Sequence, residues 1–386
     1  MSVRDKNPVS YLFGAKAQTG VNRGIAEFHA RRPVLVNSGG ENLLALPVEG
    51  LDQQRLAEFI ALCVPVMPQL IVTARRANAL GLDAKRPMAL YLPADIGLSA
   101  ILALVTDVST NRTTGAKPAS PAAAAAIELV KLSQGLPAVL VAQAASTIAS
   151  DLNLVTVVAD AVAHFGEEAI RSLTIASQAS VPLDSGRRAR FVVFRDMMGA
   201  SPVAIIVGKP DFAKPVPVRL HSACLTGDVF GSRRCDCGDQ LNMAIERLEE
   251  IGGGVVLYLA QEGRGLGLAN KMRTYLMQDD GLDTVDANTT LGFDDDERDY
   301  GVAARMLQLL ECHQVVLMTN NPHKLDGLAK SGVEIIGRMP IEAPINADNH
   351  RYMTAKAARA GHQLNHLVAS LAETPGAERD KALLVP

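Results

Sequence analysis

Three of the chain's five cysteines fall within residues 218–240, which read VRLHSACLTGDVFGSRRCDCGDQ. Cys235 and Cys237 are separated by one residue and followed by glycine, so a tight turn can direct both sulfurs to one point. Cys224 supplies a third sulfur from upstream. A structural zinc usually has four protein ligands, whereas a catalytic zinc has three and a water. Because no fourth cysteine lies nearby, the spacing predicts an open zinc site that polarises water.

Two other interpretations of these cysteines remain open from the residues alone. They are ordinary buried thiols, which are common in proteins, or they form a disulfide. His221 is also the one close candidate for a fourth metal ligand. Cationic neighbours favour the thiolate form that binds metal, and the residues of this kind flanking the cysteines are Arg219, His221, Arg233 and Arg234. The charge pattern therefore favours a metal site.

The run H-S-x-C-L-T-G-D-V-F-G-S-x-R-C-D-C-G at residues 221–238 resembles the zinc-binding signature of GTP cyclohydrolase II, the first enzyme of riboflavin synthesis. Later segments follow in that family's order and spacing, so the resemblance covers about residues 180–365. These segments are Gln-Glu-Gly-Arg at 261–264, Asp-Thr-Val at 283–285, Asp-Glu-Arg-Asp at 296–299 and Thr-Asn-Asn-Pro at 319–322.

The resemblance implies a function and a set of bound groups. Members of this family hydrolyse GTP to 2,5-diamino-6-(5-phosphoribosylamino)pyrimidin-4-one, formate and pyrophosphate. The implied site holds one Zn²⁺ per subunit, bound by Cys224, Cys235, Cys237 and a water, and Mg²⁺ accompanies the triphosphate. GTP is the implied partner, and the family forms homodimers.

Catalytic roles follow from the same resemblance. Asp296 corresponds to the proton acceptor and Arg298 to the nucleophile that attacks the α-phosphorus. Arginine is protonated at neutral pH, so this attack needs a base such as Asp296. The alternative is that Arg298 only stabilises charge on the phosphates. Tyr275 corresponds to an active-site tyrosine that orients the zinc water or a leaving group, with a half-buried core tyrosine as the alternative.

The candidate GTP-binding residues also follow from the family motifs. Glu262 can accept hydrogen bonds from guanine N–H groups, and Arg264 can bind phosphate through two parallel hydrogen bonds. Lys324 lies near a predicted helix N-terminus, which suits a phosphate. Lys271 and Arg273 are instead predicted to lie on a solvated helix face. The full implied set is Arg219, Leu220, His221, Ser222, Ala223, Gln240, Glu262, Gly263, Arg264, Thr284, Thr319 and Lys324.

One position at the centre of the motif departs from the family pattern. The family commonly has glutamate where this chain has Ala223, directly before Cys224. Two alternatives to the riboflavin enzyme follow: a paralogue that acts in uracil catabolism, and a non-catalytic nucleotide-binding regulator with a structural zinc. The retained Tyr275, Asp296 and Arg298 favour a catalyst.

The elements that must position these residues follow an α/β pattern. A helix is predicted over 239–251 and a buried strand over 255–259, directly before the glycine-rich loop at 261–267. In α/β sheets, ligands bind at the carboxyl side of such strands. We therefore predict an α/β fold with mixed sheets in two domains, 1–179 and 180–386, the second of GTP cyclohydrolase II type. Other predicted strands lie at 189–194, 203–207 and 315–318, and other helices at 24–32, 51–63, 122–132 and 268–278.

The N-terminal half resembles, more faintly, a 3,4-dihydroxy-2-butanone 4-phosphate synthase. Predicted strands at 33–36 and 43–48 fall where that family carries an acidic cluster, of which Glu41 and Asn42 remain. Thr-Thr-Gly at 113–115 falls where that family has the same segment. Without the other carboxylates, magnesium binding and proton transfer lack their groups. We therefore predict an inactive domain that serves as a scaffold or in dimerisation, with an unrelated α/β domain as the alternative.

Bulk properties exclude several classes of function. A net charge of −3 gives no general affinity for polyanions, so nucleic acid is not an expected partner. Five cysteines in 386 residues do not make a disulfide scaffold. The polar start MSVRDKNPVSYLFG lacks an apolar signal core, and no apolar run reaches membrane-spanning length. We expect a cytoplasmic protein without a membrane partner.

Overall fold

A computed structural model describes residues 12, 14–108, 115–144, 152–346, 348–350 and 353–354. The chain forms two compact units, and the second contributes a short piece of its sequence to the first. Unit 1 comprises Met1–Glu168 and Asp286–Asp296, and unit 2 comprises Ala169–Val285 and Glu297–Pro386. The functions predicted for the two halves stay predictions.

Unit 1 is built on a seven-stranded sheet with the order β5-β4-β3-β6-β2-β1-β7. The β1–β7 pair is parallel and the other pairs are antiparallel. Its strands are β1 (Val34–Ser38), β2 (Glu41–Pro47), β3 (Gln69–Val72), β4 (Met88–Tyr91), β5 (Ala116–Pro118), β6 (Ala138–Gln143) and β7 (Thr156–Val158).

The helices of unit 1 pack their apolar residues into its core. The helix predicted at 122–132 is confirmed; Ser120 caps it by accepting a hydrogen bond from the Ala123 N–H, and Pro121 occupies the first turn, where its missing N–H is harmless. The helices are α1 (Lys16–His29), α2 (Gln53–Cys63), α3 (Ala74–Ala79), α4 (Leu98–Thr106), α5 (Pro121–Leu132) and α6 (Ala159–Ala163), and α7 (Phe165–Ser172) crosses from unit 1 into unit 2.

Unit 2 contains a second seven-stranded sheet, with the order β14-β13-β11-β12-β10-β9-β8. Neighbours from β14 to β12 run parallel, so the carboxyl ends of β11, β12 and β13 meet at one edge. The other pairs are antiparallel. The strands are β8 (Thr174–Pro182), β9 (Arg188–Arg195), β10 (Val203–Gly208), β11 (Val216–Ser222), β12 (Gly253–Leu259), β13 (Gln314–Met318) and β14 (Glu334–Met339).

Helices cover both faces of the second sheet. Leu257 of β12 packs in a cluster with Leu307, while its neighbour Val256 packs in a separate cluster with Leu248. Burial on both faces explains the continuous apolar run of β12. The helices are α8 (Leu225–Asp228), α9 (Cys237–Glu250), α10 (Leu268–Asp279), α12 (Gly301–Leu309) and α13 (Pro322–Lys330), and α11 (Thr284–Thr290) crosses from unit 2 into unit 1.

The predicted α/β class with two mixed sheets is confirmed. One local expectation needs correction: the first helix begins at Lys16 rather than at residue 24. The Thr-Thr pair at 113–114 lies outside the described residues. Of the helices that the structure describes, none combines the length and hydropathy needed to span a bilayer.

We predict that Gly254→Ala destabilises unit 2. A Cβ at Gly254 would lie 2.5 Å from the Pro217 carbonyl oxygen, so β11 and β12 would have to separate. The expected loss is about 1–3 kcal/mol of unfolding free energy. Because the chain has no tryptophan, urea unfolding would be followed by far-UV circular dichroism. Gly166→Ala is the control, since no atom lies within 4 Å of its added Cβ; equal stability of the two variants would contradict the prediction.

Candidate active site

The three predicted sulfur ligands converge in unit 2, just past the carboxyl end of β11. Cys224 precedes α8, Cys235 lies in the following turn, and Cys237 begins α9. Their sulfurs all lie within 4.8 Å of one another, and the sulfurs of Cys224 and Cys235 are 3.7 Å apart. Zinc–sulfur bonds of about 2.3 Å at tetrahedral angles place two sulfurs about 3.8 Å apart. The donor set therefore fits a zinc ion, and all three cysteines are free thiols rather than disulfide partners.

Gly227 leaves the space in which the sulfurs meet. A Cβ at this position would lie 2.9 Å from the Cys235 sulfur and 3.1 Å from the Cys224 sulfur. A Cβ at Gly238 would lie 2.5 Å from the Gly227 carbonyl oxygen. The two glycines of the motif are therefore needed for close approach of the chain to the metal centre.

A buried carboxylate that the sequence analysis did not single out fixes the backbone beside Cys224. Asp228 accepts hydrogen bonds from the Cys224 N–H at 2.9 Å, the Tyr258 hydroxyl at 2.9 Å and His221 Nε2 at 3.1 Å. The sequence offered one indication of this role. Asp228 lies four residues after Cys224, and a side chain at that spacing can reach back to the Cys224 N–H. Among the described residues, the converging ligand atoms include no histidine nitrogen, so His221 is not supported as a fourth ligand.

The prediction that Lys271 lies on a solvated face is wrong. Lys271 is buried, and its Nζ donates to the Cys224 sulfur at 3.1 Å, Thr226 Oγ1 at 2.9 Å and Glu262 Oε1 at 2.8 Å. Burial alone would lower the pKa of Lys271, but the bonds to Glu262 and Cys224 raise it above its ordinary value. The structure therefore places a protonated ammonium against the sulfur of a candidate metal ligand.

The site cysteines differ electrostatically from the two remote ones. Burial raises the pKa of Cys63 and of Cys312 to about 11. Hydrogen bonds from Cys235 and Cys237, reinforced by Lys271, instead lower the pKa of Cys224. The hydrogen bond between the Cys235 thiol and the Cys224 sulfur raises the pKa of Cys235, and the negative charge of Cys224 adds to this effect. A cation bound by the three sulfurs would therefore favour the thiolate form of these cysteines.

The glycine-rich loop after β12 reaches the cysteine motif. Gly263 and Arg264 both have a φ of 62°, which turns the loop tightly. Glu262 accepts a hydrogen bond from the Leu225 N–H at 2.7 Å, and the Arg264 carbonyl accepts one from the Glu297 N–H at 3.1 Å. Three motifs that are distant in sequence therefore meet at this loop.

Buried positive charge lies at the same sheet edge. Arg219 donates to the Gln240 side chain and to the Met318 carbonyl oxygen, and Lys324 donates to the Leu220 carbonyl oxygen at 2.8 Å. Burial lowers the pKa of Arg219 to about 10, so the guanidinium stays charged at neutral pH. Two buried cations therefore lie at this edge of the sheet.

Several buried polar atoms at this edge have no protein partner. Arg219 Nε, His221 Nδ1 and Ser222 Oγ belong to β11, and Gln261 Oε1 follows β12. Buried polar groups are normally hydrogen-bonded, so such a group of unpaired atoms is typical of a site that receives a polar ligand.

The structure also places the remaining predicted residues. The Tyr275 ring lies against the guanidinium of Arg234, at 4.5 Å, and against Lys271 Nζ, at 5.6 Å, which brings it beside the cysteine cluster. Arg298 lies over the Tyr300 ring at 5.8 Å. The Ala223 N–H donates to the Leu259 carbonyl oxygen, and Thr284 begins α11. Thr319 is buried after β13. Asp296 lies at the end of the segment that packs with unit 1.

Fold and site together define an α/β protein with a three-cysteine centre beside buried cations at the edge of a mixed sheet. The family model for GTP cyclohydrolase II matches residues 173–340. The GTP cyclohydrolase-2 of Azospirillum brasilense is 39% identical over 363 residues, covering 90% of this chain and 94% of that protein. The GTP cyclohydrolase-2 of Xylella fastidiosa strain Temecula1 is 36% identical over 359 residues, covering 92% and 89%. The chain belongs to the GTP cyclohydrolase II family.

The chain also has a distant likeness to one solved structure. The two-domain 3,4-dihydroxy-2-butanone 4-phosphate synthase RibBX from A. baumannii covers 83% of this chain, with 14% identity and a TM-score of 0.33. The identity and the TM-score are both low, so the relationship predicted for the N-terminal half stays a prediction.

We predict that Gly227→Ala weakens metal binding. The new methyl group would force the sulfurs apart, and a strain of about 1–3 kcal/mol corresponds to roughly 10- to 100-fold in zinc affinity. Competition with a chromogenic chelator measures this change. Gly166→Ala should bind zinc like the unaltered protein, and a Gly227→Ala protein with unaltered affinity would refute the steric role.

We also predict that Lys271→Met lowers zinc affinity by about 10- to 100-fold, the range found when groups supporting metal ligands are removed. The physical cause is that removing the Lys271 ammonium leaves the buried thiolates and Glu262 without a positive counter-charge. Arg273→Met on the same helix is the matched control, because Arg273 donates a hydrogen bond to Asn270. Competition with the same chromogenic chelator measures the zinc affinity of both variants, and equal affinities would contradict the prediction.

Proposed function

We propose that this protein is a zinc-dependent GTP cyclohydrolase II that hydrolyses GTP to 2,5-diamino-6-(5-phosphoribosylamino)pyrimidin-4-one, formate and pyrophosphate. The observation that carries the proposal is the convergence of three free cysteine sulfurs at the carboxyl edge of a parallel strand pair, in a chain of this family. The buried cations beside them suit a nucleoside triphosphate rather than a neutral substrate.

Cys224, Cys235 and Cys237 would hold one zinc ion per subunit. When bound, zinc supplies Lewis-acid chemistry and lowers the pKa of a coordinated water. The chain's own residues prepare the site for it. Lys271 offsets thiolate charge, and Asp228 fixes the backbone N–H of Cys224.

The nucleotide would bind along the loop after β12 and the edge of β11. Both Glu262 oxygens already accept hydrogen bonds, from Lys271 and Leu225, but a carboxylate has about four acceptor sites and can still receive guanine N–H groups. Arg264 would bind phosphate, and Mg²⁺ would accompany the triphosphate. The other proposed contacts are Arg219, Leu220, His221, Ser222, Ala223, Gln240, Gly263, Thr284, Thr319 and Lys324.

Phosphorus chemistry is assigned to the Asp-Glu-Arg-Asp segment. Asp296 would take the proton of Arg298, whose freed lone pair forms a nitrogen–phosphorus bond at the α-phosphorus. The bond to the pyrophosphate leaving group breaks in the same exchange, and water later releases the arginine. Tyr275, held between Arg234 and Lys271, would orient the attacking water or the leaving group through its phenol.

Assembly and the role of unit 1 are parts of the same proposal. We propose a cytoplasmic homodimer, as the family resemblance implies. Unit 1 would be inactive as a 3,4-dihydroxy-2-butanone 4-phosphate synthase, because Glu41 and Asn42 alone do not make a magnesium site.

The test is turnover of GTP by the purified full-length protein with zinc and magnesium. We expect formate and pyrophosphate in equal amounts, and loss of formate in Cys235→Ser, because the metal would supply only the water that opens the ring. Cys312→Ala, which changes a buried cysteine outside the site, should retain both products. GTP consumption without formate would favour the uracil-pathway paralogue, and binding without turnover would favour the regulator; either result overturns the proposal.

A further inference from the structure

The segment at 286–296 belongs by sequence to the catalytic half but packs with unit 1. It follows Thr284 and ends at Asp296, so it connects two positions with proposed roles in GTP binding and catalysis. Its apolar side chains are almost fully enclosed; Ala287, Leu291 and Phe293 are 0–2% exposed. The segment is therefore a packed part of unit 1 rather than a surface loop.

Arg76 of α3 is the polar centre of this packing. It is 1% exposed, and its guanidinium donates to the carbonyl oxygens of Thr290 at 2.9 Å, Leu104 at 2.8 Å, Ala103 at 3.1 Å and Asp107 at 2.7 Å. Such a buried cation is tolerated only when its N–H groups are bonded. The four acceptors lie at or near the carboxyl ends of α4 and α11, where helix dipoles favour positive charge.

Thr73 adds a second link between α3 and the segment. Its hydroxyl donates to the Gly292 carbonyl oxygen at 2.6 Å and accepts from the Arg76 N–H at 3.2 Å. Gly292 has a φ of 96°, and a Cβ there would lie 2.8 Å from Thr73 Oγ1. Backbone and side chain thus meet without free space, four residues before Asp296.

Burial does not remove the charge of Arg76. It lowers the pKa of Arg76 to about 10, against the raising effect of Asp107, so the guanidinium stays protonated at neutral pH. The bonds to α4 and α11 therefore persist across the range in which the protein works.

We propose that Arg76 and Thr73 are positioning residues for catalysis, which hold residues 286–296 so that Asp296 is placed to accept a proton. This inference rests on the proposed function, because it takes the role of Asp296 from it. It gives the N-terminal part of the chain a role in GTP hydrolysis that needs no catalytic residue from that part. A small displacement of a catalytic group costs rate more than binding, since only the reacting geometry is disturbed.

The experiment compares Arg76→Met and Arg76→Lys in the full-length zinc-loaded protein. We expect Arg76→Met to lower kcat for GTP by about 10- to 100-fold, with KM and zinc content nearly unchanged, and Arg76→Lys to recover part of the loss. Hydrogen exchange should rise in peptides covering 286–296. Arg55→Met is the matched control, because Arg55 also donates to a backbone carbonyl of unit 1, that of Arg31, and not to the segment.

Thr73→Val replaces Arg76→Met as the test variant if Arg76→Met fails to fold. It removes the hydrogen bond to the Gly292 carbonyl oxygen without removing a buried charged group. The same fall in kcat with raised exchange in the segment supports the inference. Raised exchange with unchanged kcat overturns it, as does a change in KM alone. If the unaltered protein releases neither formate nor pyrophosphate, the proposed function fails and this inference fails with it. Normal turnover in all the Arg76 and Thr73 variants overturns this inference alone.

Discussion

Three sulfur atoms gathered within 4.8 Å of one another carry concentrated negative charge once they are thiolates, and the surrounding chain must offset it. Lys271 meets this requirement by placing its ammonium 3.1 Å from the Cys224 sulfur. Coulomb attraction at this distance is strong in a poorly solvated site. Because the same ammonium binds Glu262, one side chain joins the cysteine cluster to the loop proposed to bind the nucleotide.

The second sheet makes this interaction possible. β11 and β12 are parallel neighbours, so the cysteine motif after one and the glycine-rich loop after the other emerge at the same edge. Backbone hydrogen bonds then continue the connection, from Leu225 to Glu262 and from Glu297 to Arg264. The unpaired polar atoms on β11 lie at this edge as well, which concentrates metal-binding and ligand-binding groups in one place.

Unit 1 takes residues 286–296, which lie far along the chain, into its own core. Thr290 and Gly292 are held by side chains more than two hundred positions earlier in the chain. The structure thus gives unit 1 a packing role for residues 286–296.

The sequence by itself determined the three-cysteine cluster, the helix Pro121–Leu132 and most strands of the second sheet, because these depend on local spacing and apolar periodicity. It misassigned Lys271, since helical periodicity cannot show that a lysine faces a thiolate. Asp228 lay inside the motif, but its three partners became visible only in the fold. Tertiary structure alone decided the contact of Arg76 with Thr290, 214 positions apart, because no local pattern encodes which distant carbonyl a buried guanidinium meets.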